Sequence, residues 1–580
     1  MEHTNIEKIR HSLAHIMAGA VREKFPNMKF GIGPIIENGF YYDFDDVEIK
    51  DTDLQKIQKE MKKLIQKNID FEKEEISVTD AKKMFKDQPY KIELIEDLEK
   101  KEGIKTVSIY ISNGFVDLCA GPHITNTKEI NIDAFKLTKI AGAYWRGDEK
   151  NKMLTRIYGV AFETKDELEA YEKMLEEAEK RDHRKLGKEM KLFMISEEVG
   201  KRLPLWLPNG AFVRKKLEDY MYKTELESGY SFVYTPVLAN KKLYETSGHL
   251  AHYKDDMYNP IDIEGEEYYL KPMNCPHHHI MYKNDGKSYR DLPVRLSDFS
   301  PIHRFERSGV LTGLIRARCF SQNDSHIYCR KNQIEEELLN VLAMFKKVYL
   351  DFGINDYWFR LSLPDFSNKE KFGDIKNEDL WKESADFARN ALNKSGEKYT
   401  EVAGEAAFYG PKIDVQTKNV LGKEDTIATM QIDFYMPERF NLEFTNDKGE
   451  KERPVIIHRA IMGSFDRFFA FLVEKTAGNF PFWLSPVQIK VLPISDAHKE
   501  YATEIYKELR NSNFRVELDS NNESLGKKIR KAKMEKIPYL LVIGEKEVEE
   551  KTVTVESRDA GNIGAMNLED LIQKLSEKNK

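Results

Sequence analysis

The chain has 580 residues, 41% of them hydrophobic and 33% charged, with a formal net charge of −7. That length exceeds what a single hydrophobic core serves, so three or four domains are expected. An acidic balance gives no support to a protein that simply coats nucleic acid, which is usually basic, and does not exclude one that holds RNA on local basic patches. Four cysteines, Cys119, Cys275, Cys319 and Cys329, are too few in so long a chain for a disulfide scaffold, and reduced thiols in the cytoplasm are the expectation.

In chain order, the start MEHTNIEKIR lacks the apolar stretch of a signal peptide, and no later run is long and apolar enough for a membrane span, so no membrane contact is expected. Thr4 and Glu7 make a capping box, and Ile6, Ile9, Leu13 and Ile16 follow at helical spacing, with His11 and His15 one turn apart. From Lys29 to Asp46, glycine and Asn-Gly signals between short apolar-aromatic runs predict strands and hairpins. Residues 51–68 read as a charged helix. Thr164 and Glu167 form a second capping box, opening a helix with Leu168, Tyr171, Leu175 and Ala178 on one stripe; it is expected to link two domains and to end near Gly187. From about Phe193 to Pro486, strand-like runs such as SFVYTPV, VRLSDF, TIATMQIDF and RPVIIHR do not alternate regularly with helices, which predicts a mixed or antiparallel sheet. Beyond FPFWLSPVQ the pattern becomes strand, helix, strand, helix, strand, a βαβαβ unit.

The chemistry-bearing segments lie mostly in the central region. RLSDFSPIHRFE carries Phe299, Arg304 and Glu306, and the loop after it carries Arg316. Much later, IHRAIMGSFDRFFA places Gly463, Ser464 and Arg467 at a strand-to-helix junction. Arginines clamp phosphate oxygens through forked charged hydrogen bonds. A carboxylate accepts from an adenine amino group, and glycine lets a helix N-terminus approach a ligand. Each piece alone is a weak signal. Together they resemble motifs two and three of class II aminoacyl-tRNA synthetases, and the words KPMNCPHH, SYRDLPVR, AFYGPKID and IHRAIMGS resemble the threonyl-tRNA synthetase family in particular, over nearly the whole chain from His11 onward.

That resemblance implies an α+β multidomain fold: an N-terminal α/β editing domain (1–162), a linker helix (163–187), a central class II antiparallel-sheet catalytic domain (188–485) and a C-terminal α/β anticodon-binding domain (486–580). It implies that Arg304 holds the α-phosphate of ATP, Glu306 the adenine, and Arg316 and Arg467 the γ-phosphate, beside Gly463, with Mg2+ accompanying the nucleotide. It also implies one Zn2+ per chain on Cys275, His326 and His458, although the separations of these residues alone establish no metal site. Three protein ligands leave an open position, which would take the amino group and β-hydroxyl of L-threonine and so reject valine, a near-isostere that an apolar pocket separates poorly. Asp324, Tyr409 and Gln431 match pocket positions, and His249 matches a histidine that assists transfer to tRNA. The neighbouring His277, His278 and His279 read as helix-surface residues, and Cys319 and Cys329 as small core residues.

Serine also carries the hydroxyl, and one methyl discriminates by only a few kcal/mol at most. The resemblance therefore implies hydrolytic editing of seryl-tRNA(Thr) by His15, Lys91, Cys119 and His123. The family has a second histidine one turn after His15 where this chain has Gly19; His11, one turn on the other side, is not expected to replace it, so no zinc is expected there. Many family members also carry a small β-rich domain ahead of this point. In the C-terminal unit the resemblance implies anticodon contacts by Asn522, Arg530 and Glu547, near a basic stretch from Lys527 to Lys536; a further family arginine is Glu556 here, with Arg558 two residues on. tRNA(Thr) and a second copy of the chain are the expected partners, the homodimer meeting around SGYSFVYTPVL. Two alternatives stand against this reading: a related synthetase for proline or serine, and a synthetase-like RNA-binding or regulatory protein. Such proteins usually lose the ATP-site arginines, which this sequence keeps.

Overall fold

The computed structural model describes residues 4–306, 312–368, 378–407 and 409–579. They form two compact units, Met1–Glu176 and Glu177–Lys580.

In the first unit, α1 (Asn5–Lys24) begins where the Glu7 carboxylate accepts the Thr4 backbone N–H at 2.8 Å, the expected capping box. Every residue from Ser12 to Val21 is buried, so α1 is a central rod and not a surface helix. Strands β1 (Gly39–Asp45), β5 (Phe135–Tyr144) and β6 (Met153–Ala161) make an antiparallel sheet in the order β1–β6–β5. Phe40, Tyr42 and Phe44 of β1 join Leu54, Ile57 and Met61 of α2 (Asp51–Gln66) in the core around α1. A second sheet, β2 (Glu72–Ser77), β3 (Thr106–Ser112) and β4 (Phe115–Leu118), packs its own smaller core of Val107 and Ile109 against Ile95 of α3 (Pro89–Glu102).

Helix α4 (Lys165–Arg181) starts at the second expected capping box: Glu167 N–H donates to Thr164 Oγ1 at 3.2 Å, and the Glu167 carboxylate accepts Thr164 N–H at 3.0 Å. The expected linker does not run unbroken to Gly187. It stops at Asp182, whose carboxylate accepts Arg184 N–H at 2.7 Å and caps a new helix, α5 (His183–Glu189).

The second unit is built on one large sheet. A short strand at Ser231–Phe232 is followed by β7 (Val294–Asp298), β8 (Cys319–Cys329), β13 (Val455–Ser464), β12 (Glu424–Asp433), β11 (Lys412–Lys418), β9 (Tyr357–Leu363) and β10 (Tyr399–Ala403). Neighbours are antiparallel except the outermost pair at each edge, in line with the expected mixed or antiparallel sheet. Three helices matter for the site: α6 (Pro208–Glu227), α7 (Cys275–Asn284) and α8 (Phe465–Thr476). Across the inner strands the sheet also holds a fully buried ion pair: Arg459 of β13 meets Glu225 of α6 at 2.5 Å, and Glu225 accepts in addition from Ser297 and Asn323.

The C-terminal segment has the predicted alternation. Strand β14 (Ile489–Pro493) lies between and parallel to β15 (Val516–Leu518) and β16 (Tyr539–Ile543), joined by α9 (Lys499–Asn511) and α10 (Leu525–Met534). Antiparallel β17 (Val553–Ser557) and β18 (Gly561–Met566) extend the sheet. All four cysteines are free; Cys329 is in the core, as read from the sequence. Among the described residues no helix is long and apolar enough to cross a membrane.

Candidate functional site

The register of three strands sets a row of polar side chains. His326 of β8 stands opposite His458 of β13, which stands opposite Gln431 of β12. Directly opposed residues of antiparallel strands project on the same face. Cys275, the first residue of α7, joins this row: one donor atom each from Cys275, His326 and His458 lies within 4.8 Å of the other two. His326 Nδ1 faces His278 Nδ1 at 2.8 Å, and His458 Nε2 faces Asp433 Oδ2 at 2.8 Å. Each imidazole thus has one nitrogen committed to a neighbour and the other left for an ion, the outer-partner pattern of metal-bound histidines. Burial lowers the His326 pKa, keeping the ring neutral, and pushes the Cys275 thiol up. One sulfur and two nitrogens fit zinc, and three ligands leave a coordination position open.

His277, His278 and His279 are not surface residues: all three are buried, because α7 packs into the unit along most of its girth. His279 Nδ1 faces the Tyr328 hydroxyl at 2.9 Å. His278 lies between His326 and Asp298, whose Oδ2 is 3.8 Å from His278 Nε2. Burial alone would raise the Asp298 carboxyl, but hydrogen bonds from Ser300 and Thr235, with His278 and Lys271 close by, hold it down at about 2.

The other pocket residues gather on the same face. The Tyr409 hydroxyl donates to Gln431, and its ring centre is 5.4 Å from that of His458. Asp324, two residues before His326 on β8, has its carboxyl pushed up by burial. His249 is buried. It opens a helical turn, His249–His252, with Nδ1 2.7 Å from Ser247 Oγ and Nε2 3.3 Å from Met273 Sδ.

The arginines take their places from the backbone. Arg304 Nε donates to the Pro272 carbonyl at 3.3 Å. Arg316 pairs with the Glu306 carboxylate at 2.8 Å, while the Glu306 carbonyl accepts from Arg318 at 2.9 and 3.1 Å. Ser464 Oγ accepts Arg467 N–H at 3.0 Å, capping α8. Arg467 lies 3.8 Å from Asp425; burial and the charge of Arg316 lower its pKa. Gly463 has φ +58, and a Cβ there would meet the Ile427 carbonyl oxygen at 2.6 Å, so glycine is required. A residue that sequence reasoning missed supports the 312–316 turn that carries Arg316: His183 Nε2 accepts Leu314 N–H at 3.1 Å while its Nδ1 faces Glu474 at 2.6 Å. Nothing in its spacing sets His183 apart.

The first unit holds a second constellation. Lys91 is buried and pairs with Asp117; its Nζ also donates to the Tyr42 hydroxyl at 3.1 Å, and Tyr42 donates to Asp117 Oδ2 at 2.5 Å. His15 Nε2 is 3.6 Å from the same Asp117 oxygen. Cys119 Sγ is 3.4 Å from His123 Nε2 and 3.3 Å from His11 Nε2. The expectation that His11 stands aside is therefore overturned: it turns into the cluster, because α1 presents both His11 and His15 to the loop after β4. Gly19 instead lines a small cavity of about 20 Å3 with His15, Leu64 and Phe115. Asp117 and Tyr42 were not singled out from the sequence; their only signal was proximity, two residues before Cys119 and in the aromatic run of β1.

In the C-terminal segment Asn522 and Arg530 are exposed, whereas Glu547 is tied down, accepting Gly544 N–H at 2.8 Å and the Thr554 hydroxyl at 2.7 Å. Arg558, two residues after Glu556, is engaged within the chain. Its guanidinium donates to the carbonyls of Lys536 and Phe480 and to Asp559. Glu556 pairs with Lys533, and Lys528 is buried against the carbonyls of Pro493 and Asp519.

Residues 258–476 match the tRNA synthetase class II core domain of the glycine, histidine, proline, serine and threonine enzymes. Residues 488–578 match an anticodon binding domain, and residues 107–158 match the second additional domain of threonyl and alanyl tRNA synthetases. The threonine--tRNA ligase of Geobacillus sp. (strain WCH70) is 46% identical over 572 residues, 98% of this chain and 88% of that protein. The chain belongs to the threonyl-tRNA synthetase family. Threonine--tRNA ligase 1 of Bacillus subtilis is likewise 46% identical over 98% of the chain and 88% of its own length. Among solved structures, the RNA binding domain of threonyl-tRNA synthetase from Cryptosporidium parvum superposes with a TM-score of 0.62 at 40% identity, covering 69% of this chain and 98% of that one. Prolyl-tRNA synthetase from the same organism shares the fold at 16% identity, with a TM-score of 0.53 over 68% of this chain and 74% of its own. The 46% identity with threonine--tRNA ligases over 98% of the chain sets the proline alternative aside.

Proposed function

We propose that this chain attaches L-threonine to tRNA(Thr) through threonyl-adenylate and removes serine attached in error. Threonine's carboxylate is the nucleophile at the α-phosphate, and pyrophosphate leaves. The work of the protein is positioning and charge stabilisation. Arg304 stabilises the charge that develops at the α-phosphate. Arg316 and Arg467 bind the γ-phosphate, Glu306 receives the adenine amino group once Arg316 turns to the phosphates, and Mg2+ accompanies ATP. Asp324 accepts from the substrate hydroxyl, Tyr409 and Gln431 shape the pocket, and His249 assists transfer to the tRNA ribose. Cys275, His326 and His458 would hold Zn2+, which would supply a Lewis acid for threonine's amino group and hydroxyl.

The observation that carries this reading is the convergence of Cys275, His326 and His458 on the sheet face that also bears Gln431. Removing the sulfur tests it. Cys275→Ala should lose one zinc per chain and, with it, threonine activation; an unchanged metal content would contradict the assignment.

Editing is assigned to residues 1–162, where Lys91 stabilises charge at the ester carbonyl and His15, Cys119 and His123 orient the terminal ribose and water. Asn522 and Arg530, both exposed, are assigned to the anticodon with Glu547, whose carboxylate now accepts Gly544 N–H and the Thr554 hydroxyl. The working assembly is a homodimer. Tyr234, in the segment expected to pair, is 85% exposed, and Tyr222, whose ring packs on Phe232 of that segment at 4.3 Å, is exposed as well. A monomer mass at micromolar concentration would contradict it. Four free cysteines suit a reducing cytoplasm.

A further inference from the structure

His278 of α7 is fully buried, yet it is not among the candidate metal ligands. It lies between one of them and a carboxylate. Its Nδ1 is 2.8 Å from His326 Nδ1, and its Nε2 is 3.8 Å from Asp298 Oδ2. The two rings meet edge to face at 84°, with centres 4.6 Å apart. From this chain of contacts we infer that His278 and Asp298 are positioning residues of the metal pocket: they fix the proton of His326 on Nδ1, so that Nε2 keeps its lone pair for the ion. The inference rests on the zinc reading above.

Two ring nitrogens 2.8 Å apart share one proton, and neutral rings allow two arrangements. In one, His326 donates from Nδ1 and His278 accepts, which puts the His278 proton on Nε2. In the other, His278 donates, and the His326 proton moves to Nε2, where it blocks a metal. The far end of His278 decides between them. Among the described residues its Nε2 has no hydrogen-bond partner, and it faces the Asp298 carboxylate. A proton there meets a negative charge, whereas a lone pair there is repelled by it. At 3.8 Å the contact is longer than a hydrogen bond, so it acts through charge, and charge selects the first arrangement.

The surroundings hold Asp298 in place as an acceptor. Thr235 Oγ1 donates to its Oδ2 at 2.5 Å, Ser300 N–H donates to its Oδ1 at 2.8 Å, and the fully buried Lys271 ammonium lies 3.9 Å from Oδ2. All three are donors, so the carboxylate meets His278 with lone pairs only. The other histidine of the triad is served more directly. His458 Nε2 faces Asp433 Oδ2 at 2.8 Å, which leaves Nδ1 for the ion. Each candidate ligand histidine thus ends on a carboxylate, and for His326 an imidazole is inserted between the two. Outer partners of this kind set the orientation of a ligand ring and raise its basicity.

A histidine that only fills space between α7 and the sheet would be buried in the same way. The two roles separate in the choice of replacement. Leucine fills a similar volume but offers His326 no acceptor. Asparagine is smaller, yet its amide oxygen stands near the position of Nδ1 and restores the acceptor. Packing alone ranks leucine above asparagine as a substitute, because it leaves no polar group to satisfy. Proton fixing ranks asparagine above leucine.

The test is the zinc dissociation constant of the full-length protein, measured by competition with a chromophoric chelator and read at the ion that Cys275→Ala loses. His278→Leu should weaken binding about 10–100-fold, and His278→Asn less than about tenfold. Asp298→Asn, which keeps the volume and removes the charge, should weaken it about tenfold. That change should add nothing in the His278→Leu background, because Asp298 acts through the His278 ring. Zinc held as tightly by His278→Leu as by wild type, or more tightly by His278→Leu than by His278→Asn, would overturn the inference and leave the zinc reading standing. A wild type from which Cys275→Ala removes no zinc would overturn both. If His278→Leu does not fold, Asp298→Asn decides, and an unchanged zinc affinity there would overturn the inference.

Discussion

The Arg304 side chain donates to the Pro272 carbonyl and is not among the groups that could hold the metal. Its removal should therefore reach the chemistry and leave the metal alone. Arg304→Ala is expected to slow threonyl-adenylate formation about 10²–10³-fold, the usual effect of losing one preorganised charge stabiliser, with zinc content as in wild type; near-normal pyrophosphate exchange would take Arg304 out of its role. Lys91 belongs to a buried triad with Asp117 and Tyr42. Lys91→Ala should abolish deacylation of preformed seryl-tRNA(Thr), and an unchanged rate would remove editing from the account. Gly19→His should not accelerate that reaction. His11 already supplies the second α1 histidine, its Nε2 3.3 Å from Cys119 Sγ. At this scale the sequence exposed the residues that match motifs, His15, Cys119 and His123, and hid those that act through tertiary neighbours. His11 looked displaced because its role depends on the path of the loop at 119–123. Asp117 and Tyr42 were silent because no spacing rule joins positions from different strands.

The turn at 312–316 is held from outside by an element of its own. His183, at the start of α5, accepts Leu314 N–H and is itself fixed by Glu474 of α8. A Cβ on Gly313 would come within 2.0 Å of His183 Nε2, so the turn and the imidazole are fitted to each other. Leaving a buried N–H unpaired costs about 1–3 kcal/mol. His183→Ala should accordingly raise KM for ATP by about tenfold while leaving KM for threonine and zinc content unchanged; equal effects on both substrates would indicate general damage. Local signals marked most elements: both capping boxes appear where Thr4–Glu7 and Thr164–Glu167 placed them, and the C-terminal βαβαβ alternation holds. The α4–α5 break at Asp182 was missed because an aspartate inside a charged helical stretch also reads as a solvated face. Helix α7 was misread for the opposite reason. Its three histidines looked polar, yet packing surrounds the helix and their partners, Tyr328 and His326, come from β8.

Across the whole molecule, the catalytic sheet is organised around charge as well as apolar packing. Arg459 and Glu225 are both fully buried and paired at 2.5 Å, and Arg459 also stacks on Tyr230 at 4.2 Å. Removing one partner of such a pair strands a charge and costs about 3–5 kcal/mol. Glu225→Ala should shift the unfolding transition of residues 177–580 by that amount in denaturant titration, and a shift below about 1 kcal/mol would mean that the pair is replaceable. The same sheet presents His326, His458 and Gln431 in one row, with Cys275 above it and the arginine turns at its margin. A metal held on that triad would favour an amino acid that carries a hydroxyl, threonine or serine over valine. The most direct measurement is ATP–pyrophosphate exchange by the purified chain with each candidate amino acid in turn. Threonine should drive exchange, serine should do so more weakly, and valine and proline should give none; exchange driven by proline, or better by serine or valine than by threonine, would contradict the account.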